Sequence, residues 1–294
     1  LKRDKVDRMN RRSHELRRDV KNRTERLRRK LSAQREELQK TAGRETLKRS
    51  GDLITSNMYR VKKGDRVLET EDFYEENMPL VRIELDPLHT PQQNAADYYK
   101  AYNKAKAAEE HLTALIATGE RELDYLESVM DEIERAEGES DLVEIRRELT
   151  EQGYLRRAPG AKKQKESTAP PRRFMSDTGM EILVGRNNAQ NDRLTTRDAR
   201  RTDVWLHTQK VHGSHVIISC GGAEPDETTL MQAASLAVLY SQARGGGKTP
   251  VDYTQVRFVK KPSGSMPGKV IYTDYRTVMA EADEALAERL AVKK

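Results

Sequence analysis

The stretch ILVGRNNAQNDRLTTRDARRTDVWLH, residues 182–207, poses the fold problem for this chain. Its apolar start, Ile182, Leu183 and Val184, closed by Gly185, reads as a short strand leaving a buried sheet. Arg186, Asn187, Asn188, Gln190, Asn191 and Asp192 follow, side chains rich in hydrogen-bonding groups. Such groups are costly to bury unpaired. The run is therefore a solvated loop or a surface that recognises something polar. Asp203, Val204, Trp205, Leu206 and His207 then read as a second strand, holding the one tryptophan.

Working outward, residues 174–294 read as a compact α/β domain. Strands fit 180–184, 204–207, 215–220, 255–259 and 269–272, and a helix fits 226–244. Residues 156–173 string together Pro, Gly, Ser, Thr and Lys, the composition of a basic linker. Upstream lie two helical stripes. Leu16, Val20, Leu27, Leu31 and Leu38 mark the first, within residues 1–40. Tyr98, Ala105, Leu112, Leu126 and Ile133 share one heptad position of the second, with Gly119 as its single gap.

Residues 1–40 hold 16 Lys and Arg against 7 Asp and Glu, a net of +9, and residues 91–140 hold 5 against 12, a net of −7. A basic and an acidic helix some fifty residues apart are expected to fold back as an antiparallel hairpin, roughly 60 Å long. Between them, 43–91 read as a helix over 45–58 and strands at 59–61, 66–69 and 81–85. These strands carry little apolar surface and are expected to rest on parts of the protein outside this chain. The fold class is thus α+β. A coiled-coil and middle domain spans 1–155, with the small insertion at 43–91, followed by the linker and the domain at 174–294.

The net charge of +6 permits an anionic partner. A lone cysteine, Cys220, excludes an internal disulfide and points to a reducing cytoplasm. No apolar run approaches the roughly 18 to 20 residues of a membrane helix, and none reads as a signal peptide. With Leu1 already inside a helical pattern, the chain reads as a fragment of something longer.

Gly245, Gly246, Gly247, Lys248 and Thr249 suggest a P-loop, but the first glycine is missing and the run follows a helix. His207, His212 and His215 suggest a metal, yet strand alternation is expected to scatter them and their spacing matches no ligand set. No nucleophile motif of the G-x-S-x-G kind is present. Neither a catalytic group, nor a metal, nor a cofactor is expected. Lys260 and Lys261 open a Gly- and Pro-rich turn. With Arg186, Lys210 and an exposed aromatic ring it would combine phosphate contacts with stacking; alone, it is a solvated turn.

Several runs carry a family resemblance. FMSDTG (174–179), EILVGRNNAQNDRLT (181–195), DVWLH (203–207), GSHVII (213–218) and KKPSG (260–264) resemble the signature of the NFACT-R domain. GDLITSN (51–57), LDP (85–87) and NAA (94–96) resemble the same NFACT family, that of bacterial RqcH or fibronectin-binding-like proteins related to eukaryotic NEMF.

The resemblance implies ribosome-associated quality control. Its members bind the large ribosomal subunit with a stalled peptidyl-tRNA and recruit tRNA for mRNA-independent alanine tailing. The coiled coil reaches across the subunit, through rRNA and ribosomal proteins, and the chemistry belongs to ribosomal RNA. The family's N-terminal domain, NFACT-N, is expected to be absent here. The candidate surface is Arg186, Asn187, Asn188, Gln190, Asn191, Asp192, Asp203, Trp205, His207, His215, Lys260 and Lys261, touching RNA or docking NFACT-N. Rival readings are a fibronectin-binding adhesin and a histidine-metal nucleic-acid-processing enzyme.

Overall fold

The computed structural model describes residues 2–156 and 170–292, with side chains from residue 6, so most of the expected linker lies outside the described residues. The chain forms two compact units, residues 26–120 and residues 1–25 with 121–294. This division differs from the one expected from composition, because both ends of the helical region, residues up to 25 and from 121 on, group with the sheet domain.

In residues 26–120, the end of α1 (Lys2–Gln39) runs antiparallel to α3 (Pro91–Arg135), with α2 (Arg44–Ser56) between them in sequence. Arg35 Nη2 donates to Glu120 Oε1 at 2.7 Å, and Arg44 pairs with Glu109. Exposed pairs of this kind contribute at most about 1 kcal/mol each. The buried seam of Leu27, Leu31, Leu112 and Ile116 therefore holds the helices together. The heptad gap has a reason: a Cβ on Gly119 would lie 2.7 Å from Leu31 Cδ2. Glycine here is the hole that accepts the leucine knob.

The insertion corrects an expectation. β1 (Val67–Glu71) and β2 (Leu80–Glu84) form an antiparallel hairpin, while residues 57–60 form a turn and 59–61 no strand. The hairpin does not need an outside support. Leu68, Ile83 and Leu85 bury themselves against Leu53 and Ile54 of α2 and Ala95 of α3.

In the other unit, α4 (Glu139–Glu151) buries Leu142, Ile145 and Leu149, and the end of α3 buries Leu126, Val129 and Ile133. β3 (Arg172–Met175), β4 (Glu181–Val184), β5 (Val204–Thr208), β6 (Val216–Ser219), β7 (Thr249–Gln255) and β10 (Arg276–Ala280) form one sheet in the order β10-β7-β5-β6-β4-β3, and every pairing is antiparallel. β8 (Val259–Lys260) and β9 (Ile271–Tyr272) make a separate small hairpin. The strand Arg172–Met175 takes in the last two residues, 172 and 173, of the expected linker; its Arg172 is buried and stacks 4.5 Å from the Tyr240 ring centroid.

Alternation assigns the two faces of the sheet. Val204, Leu206, Val216 and Ile218 lie under α6 (Glu227–Leu239), with Ala287 and Leu290 of α7 (Glu284–Leu290) in the same core. Trp205 and Ile217 point to the opposite face, with Leu194 and Val256. α6 begins at Asp226, whose Oδ1 accepts from Thr229 N at 2.9 Å. It ends before the expected residue 244, where Ser241 Oγ accepts from Ala243 N at 3.1 Å and starts a tight turn.

Candidate nucleic-acid interface

The residues after β4 form α5 (Asn188–Arg193), a short helix capped by Asn187, whose Oδ1 accepts from Gln190 N at 2.8 Å. Each amide in this run has both a donor and an acceptor, and nearly all of them are committed inside the fold. Asn187 Nδ2 donates to Glu144 Oε2 at 2.6 Å, Asn188 Nδ2 to Ser128 Oγ at 2.9 Å, and Ala189 N to Glu148 Oε2 at 2.9 Å. Asn191 Oδ1 accepts from His215 N at 3.0 Å, and Gln190 Oε1 accepts from Arg186 N at 2.8 Å. The Arg186 guanidinium lies against Glu137 at 3.3 Å and Asp141 at 3.5 Å. Asp192 accepts from Lys261 Nζ at 2.7 Å and from Gly268 N at 3.1 Å.

The expected outward-facing surface is therefore corrected. Asn187, Asn188, Asn191, Asp203, Trp205 and His215 are buried; all but Trp205 find hydrogen-bond partners inside the fold, and Trp205, whose Nε1 has none among the described residues, packs against His207, His215 and Tyr272. Asp203 accepts from Arg200 N at 2.7 Å and from Cys220 N at 3.0 Å, fixing two chain turns. Of the twelve candidates, Lys260 is exposed without an ion pair among the described residues.

The histidines meet instead of scattering, since the pairing of Leu206 with Val216 sets His207 beside His215. Their rings are 5.6 Å apart, and Trp205 stacks on His207 at 5.8 Å. Burial pushes His207 down to about 4, and burial with the neighbouring His207 pushes His215 well below its ordinary range. Both are neutral at pH 7. Thr195 Oγ1 and His215 Nδ1 share a hydrogen bond of 2.7 Å, while His212 pairs with Asp124 at 3.4 Å. No group of three or more His, Cys, Asp or Glu among the described residues is placed to hold a metal.

Beneath α5 lies a pair of buried acids. Burial pushes Glu148 up to about 7, and burial together with the Glu148 charge raises Glu132 well above the carboxylate range. Glu132 Oε2 has no hydrogen-bond partner among the described residues.

Sequence reading missed the free cations at the opposite end of the sheet. Arg200 and Arg201 precede β5 and Arg257 follows β7; all three are exposed and form no ion pair among the described residues. The signal was available in outline: two antiparallel strands bring the residue before one beside the residue after the other. Arg257 N donates to Arg201 O at 3.1 Å.

Residues 171–274 match the NFACT protein RNA binding domain, and residues 1–168 match the NFACT N-terminal and middle domains. The chain belongs to the NFACT family. The match over 1–168 overturns the expectation that NFACT-N is absent. The helices and small sheet read as a middle region alone fall within that match. The α5 contacts on Ser128, Glu144 and Glu148 thus join the two NFACT matches within one chain.

This NFACT chain is similar to the Rqc2 homolog RqcH of Bacillus subtilis (strain 168), 38% identical over 279 residues, which cover 94% of this chain and 48% of the relative. It is 35% identical to the Rqc2 homolog RqcH of Streptococcus suis (strain 05ZYH33), over 95% of this chain and 50% of that protein. The chain spans about half the length of these curated relatives. It also resembles the solved C-terminal part of the fibronectin/fibrinogen-binding protein from Streptococcus suis, with a TM-score of 0.77 and 31% identity, covering 97% of this chain and 100% of that one. No helix among the described residues is long and apolar enough to cross a membrane.

Proposed function

We propose that this chain is the RNA-gripping part of a cytoplasmic ribosome-associated quality control factor. It binds the large ribosomal subunit carrying stalled peptidyl-tRNA and supports tRNA recruitment for mRNA-independent alanine tailing. It acts by binding, and the bond-forming chemistry belongs to the ribosome. The observation that carries this reading is the 38% identity to an Rqc2 homolog RqcH over 94% of the chain. The RNA-binding-domain match and the free cations beside β5 and β7 support it. So does a second basic element in residues 26–120. There Tyr59, 82% exposed, and exposed Lys62, Lys63 and Arg66 surround a tight turn at Gly64, a form suited to phosphates at the arm's contact with rRNA.

The test is co-sedimentation of the chain with large subunits holding peptidyl-tRNA over a salt series. The reading expects binding that weakens steeply with salt, and no binding at low salt would defeat it. A second reading, adhesion to fibronectin, draws on the likeness to the Streptococcus suis protein. Immobilised fibronectin included in the same salt series separates the two: saturable capture there, without subunit binding, would favour adhesion.

A further inference from the structure

We infer that the sheet end where β5 begins and β7 finishes is a cradle for unpaired RNA, in which arginines hold phosphates and Tyr275 stacks on a base. This rests on the RNA-binding reading above and narrows it to one face and one class of ligand.

Three chain segments are laced together at this end. Val256 N donates to Asp203 O at 2.9 Å, Arg257 N to Arg201 O at 3.1 Å, and Thr273 N to Phe258 O at 3.2 Å. Thr254 Oγ1 adds bonds to Thr273 O at 3.1 Å and Asp274 O at 2.9 Å. The frame is rigid, and it presents Arg200, Arg201, Arg257 and Lys260 to solvent with no ion pair among the described residues. The acids in these segments do little to neutralise them. Asp198 is paired with Arg193 at 3.2 Å, and Asp203 is buried and holds backbone N–H groups, which leaves Asp274 as the exposed carboxylate without an ion pair. The Arg257 guanidinium lies 4.8 Å from the Phe258 ring centroid, which holds that planar group in place.

Tyr275 supplies the second half of the site. It is 49% exposed, although it ends an aromatic chain that is otherwise packed. Its inner edge meets Tyr272 at 5.2 Å and 80°; Tyr272 packs on Trp205 at 4.7 Å and donates its hydroxyl to Asp252 Oδ2 at 2.7 Å. The residue before it, Asp274, has φ 51°, a left-handed conformation that a non-glycine residue adopts at a cost. The strained turn leaves half the tyrosine uncovered beside free cations.

An aromatic ring held firmly from behind and open in front, flanked by arginines, suits a nucleobase whose face is free. Bases inside a duplex are already stacked on both sides, so the cradle selects single strands, loops or ends.

The experiment measures binding of the full chain to a labelled single-stranded oligoribonucleotide and to the duplex formed from it. The wild-type chain should prefer the single strand. Tyr275→Ala should weaken that binding by about tenfold, with Tyr275→Phe near wild type and duplex binding unchanged. Arg201→Glu with Arg257→Glu should weaken both and flatten the salt dependence. These side chains are exposed, and an unchanged thermal melt confirms that each variant folds. Equal wild-type affinity for duplex and single strand, or full affinity in Tyr275→Ala, overturns the cradle while leaving RNA binding intact. Failure of the wild-type chain to bind either RNA overturns both readings.

Discussion

Two polar stretches, separated by only seven residues, have opposite fates. Residues 186–192 look like a recognition comb in the sequence, yet the fold buries most of that hydrogen-bonding capacity against α3, α4 and His215. Arg200 and Arg201 look like ordinary loop residues and remain open to solvent. The difference lies in chemistry. Amides satisfy donors and acceptors at once and so serve to join packed elements, whereas an arginine without a carboxylate stays hydrated at the surface. Polar richness marked a joint; unneutralised charge marks an interface.

The largest effect that tests this contrast is on stability. Asn187→Ala removes the cap of α5 and leaves Glu144 without the Asn187 donor, so the chain should lose about 2–3 kcal/mol. Urea unfolding followed by circular dichroism measures it. A loss below about 0.5 kcal/mol would return the comb to the surface category. RNA affinity of the folded fraction should stay unchanged.

The next effect concerns pH. Glu148, raised to about 7 when folded, favours the native state while protonated. Its contribution is therefore complete below the unfolded carboxyl value and is lost as pH rises through about 7. His207, lowered to about 4, behaves oppositely: its contribution is present above the unfolded imidazole value and is lost as pH falls. The two trends oppose each other between the unfolded carboxyl and imidazole values, so a raw pH profile hides both. Glu132→Gln removes one of the two raised carboxyls and so isolates the carboxyl component. Relative to wild type, the variant should become progressively more stable as pH rises from about 5 to about 8. A constant difference across that range would show that the buried acids carry no proton.

How much of this was legible follows from the same physics. The coiled-coil pairing could be read because heptads and opposite charges are local patterns repeated along the chain. Even the irregularity at Gly119 was visible, though the Leu31 knob that fills it was not. The strands at 182–184 and 204–207 were readable from apolar runs. β3 was not, because Arg172 and Arg173 look like linker until Tyr240 covers one of them. Likewise, the partners of Asn187 and Asn188 lie 43 and 60 residues away. No window of sequence shows that a distant glutamate or serine is waiting.

The smallest effect separates two adjacent lysines that the sequence presents as a pair. Lys261 bonds Asp192 at 2.7 Å and the Met266 carbonyl at 3.0 Å, so it ties the 261–268 turn to α5. Lys260, on β8, is exposed and has no such partner among the described residues. Lys261→Ala should cost about 1 kcal/mol of stability, a partly exposed pair plus one carbonyl contact. Lys260→Glu should leave stability within about 0.5 kcal/mol and weaken RNA binding severalfold, with a shallower salt slope. Thermal melts and RNA titrations on both variants decide it. If the roles come out reversed, with the Lys260 change unfolding the turn and the Lys261 change acting on RNA alone, then free charge is no guide to the interface and the contrast between the two stretches fails.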